Sequence, residues 1–197
     1  MSSSPYKDVA EENWFDKTQE LVEAHPIKAA EFQDVVLSSW SGIFESRIGA
    51  TGFKIGTDLF PKPQILGFFL HELIALEFMT RYPALWRGEE KASDKDLVHI
   101  PDDRFSVEIK TSSHPKQIFG NRSYAQEADS KKSKSGYYLA VNFEQLTKQV
   151  RKPRVRRIRF GWLDHADWIG QTAASGQQAR LASAVERYKL LTLFDLE

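Results

Sequence analysis

Residues 94–111 decide the fold of this 197-residue chain, and they read Asp94-Lys95-Asp96-Leu97-Val98-His99-Ile100-Pro101-Asp102-Asp103-Arg104-Phe105-Ser106-Val107-Glu108-Ile109-Lys110-Thr111. Two short runs of strand-forming residues, 97–100 and 105–111, flank a Pro-Asp-Asp sequence. That sequence favours a turn, because proline fixes φ and aspartate bonds its own backbone, so the stretch predicts a β-hairpin. Side chains alternate between the two faces of a strand, and Glu108 and Lys110 are therefore expected to project from the same face.

Asp96 stands at the start of the first run, where strand pairing can bring its carboxylate beside Glu108. Two converging carboxylates form a hard oxygen site that suits Mg²⁺, which keeps water and phosphate oxygens on its remaining positions. Such a cation polarises a phosphodiester and acidifies a bound water. A lysine on the same face can orient that water and offset the charge that develops on the phosphorane. Asp96, Glu108 and Lys110 therefore predict a metal-dependent nuclease centre.

The spacing of an acid, any residue and a lysine is a weak signal by itself, because it occurs three times in the chain. Glu89-Glu90-Lys91 and Asp129-Ser130-Lys131 lie in polar, loop-like surroundings. Glu108-Ile109-Lys110 lies in an alternating apolar strand downstream of an aspartate, and this context favours it over the other two. The alternative is an exposed strand face whose acid and lysine form an ordinary salt bridge.

The composition is typical of a globular protein, with 41% hydrophobic and 27% charged residues and a formal net charge of zero. We expect one domain, 1–197, with N-terminal helices at about 9–45, a catalytic core at about 61–165 and a C-terminal helix and strand at about 177–194. The absence of cysteine excludes disulfides and thiolate metal sites. The sequence shows neither a signal peptide nor a membrane span, so a cytoplasmic location is expected, and any polyanion must bind local basic patches.

The spacing of apolar residues predicts the secondary structure along the rest of the chain. Helices are expected at about residues 9–24, 27–44, 64–81 and 177–188, and strands at 137–143, 158–162 and 190–194. The helix at 64–81 is the strongest, because the prolines before it suit a first helical turn. Its expected buried surface consists of Ile65, Phe68, Phe69, Leu73, Ile74 and Leu76.

Two acids, Glu72 and Glu77, interrupt the apolar surface of that helix. A carboxylate among hydrophobic side chains must be paired, bound to metal or at the edge, since an unpaired buried charge costs several kcal/mol or more. Either one of these acids reaches the metal, or both lie on the solvent edge of the helix. His71 is expected to lie on the helix surface or behind the ligands rather than to bind metal itself.

Two polar segments are candidates for contact with nucleic acid. In the segment 114–135, amide, guanidinium and hydroxyl groups suit base edges and phosphates, and its main candidates are Asn121, Arg122, Ser123 and Tyr124. The segment 148–159 holds seven basic residues, among them Arg154, Arg156 and Arg157, which can displace counterions along a DNA backbone. The alternatives are a solvated loop for the first segment and a charged strand edge that prevents aggregation for the second.

Asp96, followed by Glu108-Ile109-Lys110 on a hairpin and preceded by a helix bearing Glu72, resembles the PD-(D/E)xK nuclease superfamily. Within it, the chain resembles the ScaI-type group of type II restriction endonucleases. That wider resemblance covers most of the chain and is carried by Gly67-Phe68-Phe69-Leu70-His71-Glu72, Glu108-Ile109-Lys110-Thr111-Ser112-Ser113, Phe119-Gly120-Asn121-Arg122-Ser123-Tyr124, Tyr137-Tyr138-Leu139-Ala140-Val141-Asn142-Phe143 and Phe160-Gly161-Trp162. One departure is that Lys95 rather than proline precedes Asp96, which leaves Asp94 as a rival for the first acid.

The resemblance implies an α/β fold with a mixed central β-sheet flanked by helices, the restriction-endonuclease-like core. It also implies a homodimer that cleaves double-stranded DNA at a short palindrome with Mg²⁺, without a nucleotide cofactor or a membrane partner. Asp96, Glu108 and the carbonyl of Ile109 would hold the metal, Lys110 would position the water, and Glu72 would be an accessory acid. Ser112 and Ser113, which follow the catalytic strand, join the expected DNA contacts.

Two other functions compete with a sequence-specific endonuclease. The same fold supports junction resolvases and repair nucleases, which recognise branched or damaged DNA rather than a fixed sequence. A non-catalytic DNA-binding protein is the third possibility. The complete set of Asp96, Glu108 and Lys110 argues against it, because a binding module has no reason to place clustered carboxylates beside phosphates.

Overall fold

A six-stranded mixed β-sheet forms the centre of the computed structural model, which describes residues 4–125, 133–173 and 176–196. The strands of the chain are β1 (Trp86–Gly88), β2 (Leu97–His99), β3 (Val107–Ser112), β4 (Phe119–Asn121), β5 (Gly136–Phe143), β6 (Val155–Leu163), β7 (Trp168–Gly170), β8 (Gln178–Leu181) and β9 (Leu191–Asp195). The central sheet has the order β1-β2-β3-β5-β6-β9. Only β3 and β5 pair in parallel, and the other neighbours are antiparallel.

Helices flank this sheet, which confirms the α/β class expected from the sequence. They are α1 (Trp14–Ala24), α2 (Ala29–Glu45), α3 (Pro63–Arg81) and α4 (Ser183–Tyr188). Three of them follow the predicted positions closely, and Pro63 occupies the first turn of α3, where its missing N–H has no helical partner to lose.

The alternation of side chains along the strands separates two hydrophobic clusters. Val107 and Ile109 of β3 belong to a large cluster with buried residues of α2 and α3. Tyr138 and Ala140 of β5 belong to a second cluster that includes Tyr124 and residues of β7 and β8. Since Glu108 pairs with Tyr138 in register, β3 presents Glu108 and Lys110 toward the second cluster.

A small antiparallel sheet of order β4-β8-β7 contributes to that second cluster, and here one sequence prediction is wrong. Residues 177–188 were expected to form a single helix, but 178–181 form β8 and only Ser183–Tyr188 are helical. Ala179 and Leu181 are buried while their neighbours are exposed, a period of two that suits a strand between β4 and β7. Residues 126–132 lie outside the described residues. They include Gln126 and another acid-x-Lys motif, Asp129-Ser130-Lys131.

Helix α3 buries a narrower surface than its composition predicts. Its buried residues are Leu66, Gly67, Leu70, Ile74, Ala75 and Phe78. Ile65, Phe68 and Leu76 were expected in the core but are 48%, 58% and 47% exposed. The helix is apolar around most of its circumference, and its neighbours cover only one side of it. No helix in the described ranges is long and apolar enough to cross a membrane.

Candidate active site

Asp96 and Glu108 meet where β2 and β3 pair. Leu97 is in register with Val107, so the two acids are the next positions outward on adjacent strands. Both side chains are buried, with 6% of Asp96 and 2% of Glu108 exposed. Oδ2 of Asp96 accepts the N–H of Ile109 at 2.6 Å, which holds this carboxylate against the backbone of β3. The predicted hairpin therefore brings the two acids together.

Glu108 is the centre of a compact cluster with Lys110 and Tyr124. Its Oε1 accepts hydrogen bonds from Nζ of Lys110 at 2.7 Å and from the hydroxyl of Tyr124 at 2.5 Å. Nζ of Lys110 also lies 4.8 Å from the centre of the Tyr124 ring, a cation–π contact. Burial, together with the charge and hydrogen bond of Glu108, raises the pKa of Tyr124 far above its ordinary value, so its hydroxyl stays a donor.

Helix α3 supplies the third side of the site through His71. Nε2 of His71 lies 3.1 Å from Oδ2 of Asp96. Burial lowers the pKa of His71, but the hydrogen bond to Asp96 and the charges of Asp96 and Glu72 outweigh burial, so the net shift is upward. The helix approaches β3 closely because Gly67, one turn earlier, has no side chain. A Cβ there would lie 2.5 Å from Oγ1 of Thr111.

Glu72 lies beside this contact. Its side chain is 52% exposed, and its Oε1 is 3.5 Å from Nδ1 of His71. His71 therefore contacts Asp96 on one ring nitrogen and approaches Glu72 on the other. Glu72 is the member of this pair that the sequence predicts to assist the metal site, whereas His71 makes the direct contact with Asp96.

Asp94, the rival first acid, has a different environment. Its Oδ2 forms a salt bridge with Nη1 of Arg87 at 2.7 Å and accepts the backbone N–H groups of Glu90 and Lys91. The hydrogen bond from Arg87 lowers the pKa of Asp94 below its ordinary value. These contacts fix the turn that precedes β2. They hold the Asp94 carboxylate against Arg87 rather than in the cluster around Glu108.

The donor chemistry at the strand pair suits a hard divalent cation. Asp96 and Glu108 offer carboxylate oxygens, and Ile109, which follows Glu108 on β3, adds a backbone carbonyl. No group of three or more His, Cys, Asp or Glu side chains able to hold a metal occurs in the parts of the chain that the structure describes. Two carboxylates suffice for Mg²⁺, which commonly binds one or two of them and completes its shell with water and substrate phosphate.

The first segment predicted to contact DNA contains both exposed and buried residues. Asn121 and Ser123 are exposed. Arg122 is half-buried, and its Nη1 donates to the carbonyl of Ala173 at 3.3 Å. Tyr124, which the sequence grouped with them, is only 6% exposed and belongs to the Glu108 cluster instead. This difference arises because Arg122–Ala125 form a 3₁₀ turn, in which successive side chains point about 120° apart, so that one side chain is directed inward while its neighbours face outward.

Ser112 and Ser113 are half-buried residues at and just past the end of β3. Oγ of Ser112 accepts the N–H of His114 at 3.0 Å, which starts the turn that leaves the strand.

Two arginines of the second segment are paired with acids. Nη2 of Arg154 lies 2.7 Å from Oε1 of Glu144, and Nε of Arg157 donates to Oδ2 of Asp195 at 2.8 Å. Arg156 is half-buried on β6 between them. The acids offset part of the positive charge that seven basic residues suggest from sequence.

A buried network around Arg159 was not predicted from sequence. Arg159 is 4% exposed, and its Nη2 donates to the carbonyl of Lys116 at 2.7 Å and to Oδ1 of Asn142 at 3.0 Å. Asn142 in turn donates to the carbonyls of His114 and Gln117. Burial lowers the pKa of Arg159. The one available signal was a polar Asn142 inside the apolar strand 137–143, and the network fixes the loop that follows the catalytic strand.

Comparisons with known proteins identify the family of this chain. The family model described as ScaI restriction endonuclease matches residues 4–194. The chain is 48% identical over 195 residues to the type II restriction enzyme ScaI of Streptomyces caespitosus, an alignment that covers 98% of this chain and 85% of that protein. No solved structure matches the chain.

Proposed function

The chain belongs to the ScaI restriction endonuclease family and is a restriction enzyme, and on this premise we propose that it cleaves double-stranded DNA at a short palindrome as a Mg²⁺-dependent homodimer. One observation carries the proposal for the catalytic centre. Asp96 is hydrogen-bonded to the backbone between Glu108 and Lys110, and the lysine ammonium lies 2.7 Å from the Glu108 carboxylate. The proposed cation ligands and a positively charged group thus lie side by side.

Each residue of the proposed catalytic centre has a separate role. Asp96, Glu108 and the carbonyl of Ile109 would hold the cation. When bound, Mg²⁺ supplies polarisation of the phosphodiester and a lower pKa for water. Lys110, held in place by Glu108, orients the attacking water and stabilises the charge that develops on the phosphate. Glu72, which lies beside His71, would add negative charge near a bound cation.

Recognition and anchoring are proposed for different surfaces. Asn121, Arg122 and Ser123 read base edges, and Ser112 and Ser113 contact the duplex beside the catalytic strand. The exposed position of Asn121 and Ser123, next to a residue that reaches Glu108, supports this assignment. Arg154, Arg156 and Arg157 anchor phosphates, with Glu144 and Asp195 limiting their net charge.

A homodimer follows from the symmetry of the proposed substrate. A palindrome presents two identical half-sites related by a twofold axis, which two copies of one chain with one centre each can match. Light scattering of the purified protein should give twice the chain mass. A monomer that cuts both strands in one encounter would contradict this part of the proposal.

Digestion of a plasmid tests the function directly. With Mg²⁺, the protein should yield discrete fragments whose sequenced ends share one short palindrome, and Mg²⁺ removal by chelation should abolish them. Asp96→Ala and Glu108→Ala should abolish cleavage. Lys110→Ala should abolish cleavage while still binding DNA in Ca²⁺. A smear without preferred ends, or full activity of Glu108→Ala, would overturn the assignment.

A further inference from the structure

Tyr124 connects the 3₁₀ turn at Arg122–Ala125 to β3, the strand that carries the proposed metal ligand Glu108. The inference drawn from this contact rests on the proposed function. The hydroxyl of Tyr124 donates to Oε1 of Glu108, which lies 16 residues earlier in the chain on β3 of the central sheet. Tyr124 itself follows β4 of the small sheet. Lys110 donates to the same oxygen. The orientation of the Glu108 carboxylate therefore depends on two donors, one from its own strand and one from the turn that follows β4.

The Tyr124 ring has little freedom to move. It packs edge-to-face on Trp168 with ring centroids 5.1 Å apart. Gly120 lies against both rings, because an added Cβ would be 3.0 Å from Cγ of Tyr124 and 3.2 Å from Cζ3 of Trp168. The hydroxyl is consequently placed by the packing of the small sheet, so a shift of that sheet moves the donor relative to Glu108.

The same turn carries the proposed base contacts. Asn121 ends β4, and Ser123 immediately precedes Tyr124 in the 3₁₀ turn at Arg122–Ala125. Both side chains are exposed, whereas Tyr124 points inward to Glu108. One short segment thus faces solvent on one side and a proposed metal ligand on the other.

We propose that Tyr124 is a positioning residue whose hydroxyl orients Glu108 and couples contacts made by the Asn121–Ser123 turn to binding of the divalent cation. Groups that hydrogen-bond a metal ligand set its orientation, and their loss typically weakens metal binding 10–100-fold. Coupling is reciprocal, so cation binding should strengthen cognate DNA binding by the same factor by which cognate DNA strengthens cation binding.

Tyr124→Phe tests this with the loss of one oxygen, because phenylalanine keeps the ring contacts with Trp168 and Lys110. Titration of the DNA-free protein with Mn²⁺, followed by electron paramagnetic resonance of the free ion, measures cation affinity without any cleavage. We expect affinity about tenfold weaker than that of the unaltered protein. Tyr137→Phe is the matched control, because Tyr137 is a buried tyrosine whose hydroxyl bonds the carbonyl of Leu21 instead.

A second measurement addresses the coupling. Binding of the cognate duplex, whose sequence the plasmid digestion gives, is compared with and without Ca²⁺. The Ca²⁺-dependent gain should shrink by about tenfold in Tyr124→Phe and stay unchanged in Tyr137→Phe, while random-duplex affinity without metal stays the same in both.

The outcomes separate the inference from the proposed function. Unchanged Mn²⁺ affinity and an unchanged Ca²⁺ gain in Tyr124→Phe would overturn the inference alone, as would equal losses in Tyr137→Phe. If the unaltered protein fails to bind Mn²⁺, the proposed metal centre itself is overturned. Thermal unfolding of each variant checks the fold, and because the Mn²⁺ readout is normalised to folded protein, a less stable variant still decides the question.

Discussion

Nε2 of His71 lies 3.1 Å from Oδ2 of Asp96, the same oxygen that accepts the N–H of Ile109. Two donors therefore fix this carboxylate oxygen, one from helix α3 and one from the catalytic strand. Because Glu72 lies 3.5 Å from the other nitrogen of His71, the histidine stands between the two acids. The contribution of α3 to the site thus consists of a contact through His71 and a charge from Glu72.

We predict that Glu72→Gln raises the Mg²⁺ concentration needed for half-maximal cleavage more than Glu77→Gln does. Both changes remove one charge from the same helix, but Glu77 pairs with Arg81, its Oε2 lying 3.5 Å from Nε. Rates of single-turnover cleavage over a Mg²⁺ titration give the comparison. Equal effects would show that neither acid is specially placed.

We predict that Asp96→Asn lowers single-turnover cleavage by several orders of magnitude, whereas Asp94→Asn leaves the rate near that of the unaltered protein. Asp94 stabilises a turn through Arg87, and this partly buried ion pair contributes on the order of 1 kcal/mol to the free energy of unfolding. Chemical denaturation should detect that small loss. If Asp94→Asn were the more damaging change to cleavage, Asp94 would replace Asp96 as the first acid.

The sequence predicted the centre of the site because its geometry is local. The alternation of Glu108 and Lys110, and the turn that returns the chain to Asp96, follow from the strand period and turn chemistry. The family assignment and the restriction endonuclease activity expected from these motifs are confirmed. Which residues hold the metal, and whether the chain is one domain, stay predictions.

The contacts that the sequence missed depend on tertiary packing. Tyr124 reaches Glu108 only because the small sheet lies over β3, and nothing in the residues around Tyr124 indicates which way its ring points. The strand at 178–181 was read as helix because its alternation is only four residues long and leads directly into α4. Ile65 and Phe68 were expected in the core because composition does not reveal how much of a helix its neighbours cover.

We predict that Asn121→Ala weakens cognate DNA binding by roughly 1–3 kcal/mol and random DNA binding much less, because only a base-edge contact distinguishes the two. Fluorescence anisotropy in Ca²⁺, which permits binding without cleavage, measures both affinities. Arg122→Ala should behave similarly. It also removes the hydrogen bond that Arg122 donates to the carbonyl of Ala173, so it should lower the stability of the protein as well. An equal loss on both duplexes for Asn121→Ala would reduce it to a phosphate contact.

We predict that Arg156→Ala and Arg157→Ala weaken binding to cognate and random duplexes alike, and flatten the salt dependence by about one counterion per lost contact. Asp195→Asn is the complementary change, since it removes the acid that pairs with Arg157 and should strengthen binding to both duplexes. Titrations at several salt concentrations give the slopes. Unaltered slopes in all three variants would place this cluster away from the DNA.

The last prediction concerns stability and His25, a fully buried side chain that accepts the N–H of Ile27. Burial lowers the pKa of His25 from 6.5 to about 4, so folding keeps this imidazole neutral where the unfolded chain protonates it. The free energy of unfolding that the neutral His25 contributes is complete above pH 6.5 and is lost as the pH falls toward 4. Lowering the pH from 7.5 to 5 should therefore cost about 2 kcal/mol of unfolding free energy.

His71 acts in the opposite direction, because its pKa is raised in the folded protein, so the stability gained from its protonation is complete below pH 6.5 and is lost as the pH rises through the folded pKa. The effect of His25 is therefore read as the difference between the unaltered protein and His25→Gln, which retains His71. Urea denaturation at pH 7.5 and pH 5 supplies the four free energies. His25→Gln should be less stable at pH 7.5 but lose about 2 kcal/mol less on acidification. An identical pH dependence in the two proteins would show that His25 is protonated in the folded state at pH 5.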